Sequence, residues 1–194
     1  PCDQVLLYVG RIEPLKGIDV LIHAIALLRE QGVRVCLSVI GGDSAEDSDA
    51  ISAEMARLQI VREDSGMDDM VFFLGKKSQD TLPYYYSASE AVVVPSHYES
   101  FGMVALEAMA CGTPVVASQV GGLAFIIRDG ETGFTFPVDD PQALADKLLT
   151  LLRDAELRRR MGEQAARFAR DYGWERIATR VLSVYQQALA EGQP

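Results

Sequence analysis

No apolar run in the chain approaches the roughly 18 residues needed to cross a bilayer, and its start has no charged-then-apolar leader. These absences set the expectation of a cytoplasmic location and of no membrane contact through this domain. Basic residues are scarce: 18 Lys and Arg stand against 28 Asp and Glu, for a net charge of −10. That balance excludes a broad basic face for nucleic acid or anionic lipid, so any phosphate must be held by local cations and backbone amides. Cysteine is limited to Cys2, Cys36 and Cys111, odd in number and without the paired spacing of a zinc site or a redox dithiol. Unpaired thiols in a reducing compartment are expected, with neither a disulfide nor a metal. Two phosphate fingerprints are missing as well. There is no G-x-x-x-x-G-K-[ST] loop and no G-x-G-x-x-G turn, so a nicotinamide cofactor has no support.

What is present alternates. Apolar strand-like runs at 5–9, 33–40, 70–74, 90–96, 114–118 and 134–137 are separated by helical patterns at 17–30, 50–63, 79–88 and 103–110. A polar, acidic loop is expected at 43–49, and a short helix opened by Gly121-Gly122 and running to Arg128. From Pro141 to about Glu191 the pattern is helical, with breaks near Asp154 and Gly173. Strict alternation with short loops predicts an α/β fold over residues 1–194. It would be a doubly wound, Rossmann-like parallel sheet of about six strands, with helices on both faces and a helical C-terminal tail. Pro1 is not an initiator Met and Val5 already enters an apolar run, so a preceding domain is expected to be missing from this chain.

Ligands of such sheets sit beyond the C-terminal strand ends. Gly10-Arg11, Gly41-Gly42, Gly75-Lys76-Lys77, 96–102 and Gly121-Gly122 all fall there. The most informative segment is Glu99-Ser-Phe-Gly-Met-Val-Ala-Leu-Glu107. Glu99 falls in a loop after a buried strand, and Glu107 more than a turn into a helix that is apolar almost all round. A carboxylate in such a helix needs a partner, and a ribose diol would satisfy it. Gly102 lets a ligand approach the backbone, while the helix start aims free N–H groups at the same cleft. Arg11 and Lys16 flank a strand-to-helix connection where guanidinium and ammonium can hold phosphate oxygens.

Other candidates read as structure. His97 lies at the cleft edge with no nucleophile or metal constellation around it, and His23 reads as a surface or boundary residue. Tyr84-Tyr85-Tyr86 reads as packing, and Arg158-Arg159-Arg160 as a solvated face.

Taken in order, these segments resemble the retaining GT-B glycosyltransferases of the group 1 family, which includes sucrose-phosphate-synthase-like and mycothiol-glycosyltransferase-like enzymes. The segments are Gly10-Arg11 to Lys16-Gly17, Phe73-Leu74-Gly75, 95–102, 107–117, Gly121-Gly122 and 129–133. The resemblance covers the C-terminal, donor-binding domain, and implies an N-terminal acceptor domain as its partner. It further implies that Arg11 and Lys16 bind the donor diphosphate and stabilise the leaving group. Glu99 would contact the transferred sugar, joined by Gly10, Phe101, Gly102, Met103 and Val104 around sugar and phosphate. Glu107 would bind the ribose, and Lys77 would lie beside the base. A nucleoside-diphosphate sugar, with UDP favoured, would be the donor; neither cofactor nor metal would be required. The isolated chain would bind nucleotide without turnover. A non-catalytic nucleotide-sugar-binding module is the alternative. The last helix would expose Tyr172, Trp174, Val184 or Tyr185 for the absent domain.

Overall fold

The computed structural model describes residues 2–42 and 53–191. Six strands form one sheet: β1 Gln4–Val9, β2 Val35–Ile40, β3 Val71–Phe73, β4 Ala91–Val94, β5 Val115–Ser118 and β6 Gly133–Phe136. All neighbours pair parallel, in the order β3-β2-β1-β4-β5-β6. Parallel pairs need long crossovers. Here α1 Ile18–Glu30, α2 Ala53–Asp64, α3 Leu82–Ser87, α4 Met103–Ala110 and α5 Leu123–Ile126 lie between strands. After β6 come α6 Pro141–Arg153, α7 Ala155–Ala169 and α8 Trp174–Glu191. The doubly wound α/β sheet is present as expected. The acidic loop at 43–49 and the first residues of the helix expected at 50–63 lie outside the described residues.

Burial on both faces explains the strand sequences. β4 is Ala-Val-Val-Val with every residue buried, as a central parallel strand requires. Its residues alternate: Ala91 and Val93 pack with α1 and α6, whereas Val92 and Val94 pack with α4 and α5. The chain winds outward from β1 through β2 to β3, then returns to pair β4 on the other side of β1. A crevice therefore opens between the C-terminal ends of β1 and β4, the position that reversed strand order assigns to ligands. Gly10-Arg11 and 95–102 both flank it.

Asp140 Oδ1 accepts from the Ala143 N–H and Asp154 Oδ1 from the Leu157 N–H, each at 2.8 Å. These carboxylates cap α6 and α7, which is why the helical pattern breaks at Asp154. The arginine run beyond it is not uniformly solvated. Arg158 Nε meets Glu90 Oε2 at 2.7 Å, and its Nη1 donates to the carbonyls of Leu151 at 2.5 Å and Leu152 at 2.9 Å. Arg158 thus closes the open end of α6, while Arg159 stays exposed among Glu156 and Glu163.

A second correction concerns the cysteines. Cys2 and Cys36 form a disulfide and only Cys111 is free. Sequence spacing did not reveal it, because residues 34 apart meet only once β1 and β2 lie side by side. In the tail, Trp174, Val184 and Tyr185 are exposed as expected. Tyr172 is half-buried instead, its ring 5.2 Å from Phe168 and 6.2 Å from Phe101. Among the described residues no helix is long and apolar enough to cross a membrane.

Candidate functional site

Two braced loops form the crevice. The first leaves β1 at Gly10 and makes a short 3-10 turn, Pro14–Lys16, before Gly17 starts α1. Gly17 adopts φ 61°, and a Cβ there would lie 2.2 Å from the Pro95 carbonyl oxygen. Any side chain would therefore push the two loops apart. The His97 N–H donates to the Leu15 carbonyl at 2.9 Å. The His97 ring abuts Gly17, with Nε2 3.1 Å from Asp139 Oδ1. His97 thus connects three loops, a contact its isolated place in the sequence did not indicate.

The second loop follows β4 and carries Glu99. The loop before α5 supports it from behind: the Gly122 N–H donates to the Glu99 carbonyl at 2.9 Å. A Cβ on Gly121 would come within 2.0 Å of that same carbonyl oxygen. The Gly121-Gly122 pair therefore serves close backbone approach beneath the acid loop.

Lys16 Nζ donates to Glu99 Oε2 at 2.7 Å, with side chains 17% and 20% exposed. This contact joins the two loops in the wall of a cavity of about 330 Å³. Gly10, Arg11, Phe101, Gly102, Met103 and Val104 also line it. Arg11 is largely exposed and pairs with Glu13 at 2.7 Å. Tyr8, below, donates its hydroxyl to the Arg11 carbonyl at 2.8 Å and fixes the turn. Burial, reinforced by Glu13 and Glu99, pushes the Tyr8 phenol well above its ordinary range, so it remains a donor. No side chain caps α4 at Gly102. The first amides of that helix are free of intrahelical acceptors at the cavity wall, and the helix dipole adds positive potential there. Ser96 also lines this cavity; its buried Oγ has no partner among the described residues.

Glu107 opens on a neighbouring cavity of about 460 Å³, lined also by Gln79, Tyr86, Cys111 and Trp174. Met103 lines both cavities. A carboxylate on this apolar helix needs a partner, and a ribose diol is the one expected from sequence. Instead the Tyr86 hydroxyl donates to its Oε2 at 2.8 Å, so the protein supplies one partner itself. Of the three tyrosines expected to pack, Tyr86 is buried and bonded to Glu107, whereas Tyr84 is exposed. Lys77 is exposed and lines neither cavity, although Gln79, two positions on, lines the second. Nine of the ten sequence candidates thus border two adjoining cavities, and Lys77 stands apart. Among the described residues no group of three or more His, Cys, Asp or Glu could hold a metal.

Residues 2–168 match the family model described as glycosyl transferases group 1. The chain is 42% identical over 187 residues to D-inositol 3-phosphate glycosyltransferase of Corynebacterium efficiens, covering 95% of this chain and 43% of that protein. It superimposes on sucrose-phosphate synthase from Thermosynechococcus elongatus with a TM-score of 0.87 at 39% identity, over 99% of this chain and 47% of that one. A crystal structure of Anabaena HepE in complex with UDP-glucose matches with a TM-score of 0.80 at 25% identity, over 95% of this chain and 49% of that one. The chain spans less than half the length of each of these proteins.

Proposed function

Because the chain belongs to the group 1 glycosyl transferases, we propose that it is the donor-binding half of a retaining enzyme that moves a sugar from a nucleoside-diphosphate sugar to an acceptor. The observation that carries this reading is the Lys16–Glu99 contact in the cavity wall. It sets a cation for phosphate beside a carboxylate for sugar hydroxyls, at the start of an uncapped helix. In this reading Arg11 and Lys16 hold the diphosphate. They stabilise the charge that develops on it as the glycosidic bond breaks, work done elsewhere by a divalent cation. Glu99 and the amides of 101–104 orient the sugar, Glu107 takes the ribose, and the loop carrying Lys77 approaches the base.

UDP is the nucleotide we favour, on the strength of the HepE complex. An N-terminal half contributes the acceptor site, so the 194-residue chain binds the donor and transfers nothing alone. The same reading assigns a cytoplasmic location beside the nucleotide pool. The Cys2–Cys36 bridge counts against a reducing compartment, and cell fractionation decides between the two. Calorimetric titration with UDP, GDP and ADP tests the central claim. Saturable binding of at least one supports it, and no binding of any at millimolar concentration overturns it.

A further inference from the structure

We propose that Tyr86 is a positioning residue that orients Glu107 and thereby makes the site select ribonucleotides over deoxyribonucleotides. The proposal rests on the donor-binding reading above and adds to it a residue that does not itself touch the reacting groups.

Three observations place Tyr86 in this role. Its hydroxyl donates to Glu107 Oε2 at 2.8 Å, joining α3 to α4. The Tyr86 side chain is 1% exposed, so its ring is held by the surrounding packing while the hydroxyl meets a half-buried Glu107. The backbone of the same residue is also fixed, since Thr113 Oγ1 donates to the Tyr86 carbonyl at 2.7 Å. Thr113 is itself buried. The backbone that carries the phenol is thus tied to the turn after α4, and the phenol itself is held to α4 by its bond to Glu107. Burial, then the bond to Glu107, raises its ionisation well above the ordinary tyrosine range, so it donates throughout neutral pH.

The consequence for Glu107 is chemical. A carboxylate with both oxygens free can rotate and accept from water in many geometries. With Oε2 engaged by Tyr86, rotation of the group is restricted, and Oε1 has no side-chain donor among the described residues. Both residues line the same cavity. A ribose hydroxyl offered to Oε1 meets an acceptor already oriented. A deoxyribose lacking that hydroxyl leaves a half-buried carboxylate oxygen with nothing to accept, which is the costly case.

Binding of UDP, 2′-deoxy-UDP and 3′-deoxy-UDP to the 194-residue chain, measured by calorimetry, tests this. The native chain is expected to prefer UDP over the weaker deoxy analogue by about tenfold, as for a hydrogen bond to a charged group. Tyr86→Phe removes one buried hydroxyl and is expected to reduce that preference to about threefold or less, mainly by weakening UDP. In a Glu107→Gln background the further Tyr86→Phe change should leave the preference where Glu107→Gln alone put it. Equal loss of affinity for all three nucleotides in Tyr86→Phe would mean a structural role only, and overturns the proposal. So does an unchanged preference, which leaves the assignment of Glu107 to ribose standing. If the native chain binds UDP and both deoxy analogues equally, the ribose assignment itself fails and this inference falls with it. Failure to bind any nucleotide removes the donor reading as a whole.

Discussion

Lys16 Nζ lies 2.7 Å from Glu99 Oε2, linking positions 83 apart in sequence across the crevice where the strand order reverses. Both side chains are mostly shielded, so the pair is weakly screened by salt. The ammonium has three donors and Glu99 takes one. In the proposed site the carboxylate competes with the diphosphate for this cation and also repels it. Removing each charge should therefore act in opposite directions. Lys16→Met is expected to weaken UDP binding about tenfold or more, as loss of a charge-assisted hydrogen bond. Glu99→Gln is expected to tighten UDP by about threefold, while erasing the advantage of a UDP-sugar over UDP. Calorimetry with UDP and UDP-glucose reads both. Weaker UDP binding in Glu99→Gln would show that the carboxylate helps to hold the nucleotide, contrary to its assignment.

Asp139 is the single non-glycine residue with positive φ among the described residues, at 58°. Its carboxylate reaches His97, which steadies the turn bearing Lys16. Asn tolerates this conformation and can keep a contact with the imidazole, so Asp139→Asn is expected to be neutral in stability. Asp139→Val places a β-branched side chain in the left-handed region and is expected to cost about 1–2 kcal/mol. Urea denaturation of the two variants measures the difference. Equal losses would show that charge, and not backbone conformation, decides this position.

Much of this fold is legible because parallel strands buried on both faces are written as continuous apolar runs. Val92-Val93-Val94 could hardly be anything else, and helix Met103–Ala110 falls where its apolar pattern starts and stops. The grouping of Gly10, Arg11, Lys16 and Glu99 around one cavity beyond the strand ends was legible for the same reason. Contacts between distant segments were not. Nothing in Tyr84-Tyr85-Tyr86 tells which ring turns inward, because that depends on how a six-residue helix sits against α4. Arg158 reads like Arg159 and Arg160 until α6 ends beside it and Glu90 comes within 2.7 Å. The Cys2–Cys36 pair becomes visible only through the β1–β2 register, where Gln4 stands opposite Val35.

That disulfide closes a loop whose ends are 34 residues apart, and a cross-link of this span restricts the unfolded chain. The chain-entropy relation gives a stabilisation of roughly 3–4 kcal/mol for such a loop. Reduction with dithiothreitol is expected to lower the unfolding free energy by up to that amount, and Cys2→Ser should match the reduced native protein. Without reductant, the unfolded chain should react with one equivalent of a thiol reagent, through Cys111. Three reactive thiols in the unreduced chain would show that the bridge does not form.

Arg158 gives the clearest contrast between a half-buried and a solvated arginine on one helix. Its guanidinium satisfies the carbonyls of Leu151 and Leu152 at the end of α6 and pairs with Glu90 just before β4. Its side chain is 15% exposed. Arg158→Ala leaves two helix-end carbonyls and a partly buried carboxylate without their donor, and is expected to cost about 2–3 kcal/mol. Arg158→Lys should recover only part of this, because one ammonium cannot reproduce the planar fork that serves both carbonyls and Glu90. Arg159→Ala removes exposed ion pairs with Glu156 and Glu163 and is expected to leave the urea midpoint unchanged. Equal destabilisation by Arg158→Ala and Arg159→Ala would refute the distinction. A large loss confined to Arg158→Ala, with the denaturant slope preserved, would establish that this side chain ties the end of α6 to the segment entering β4.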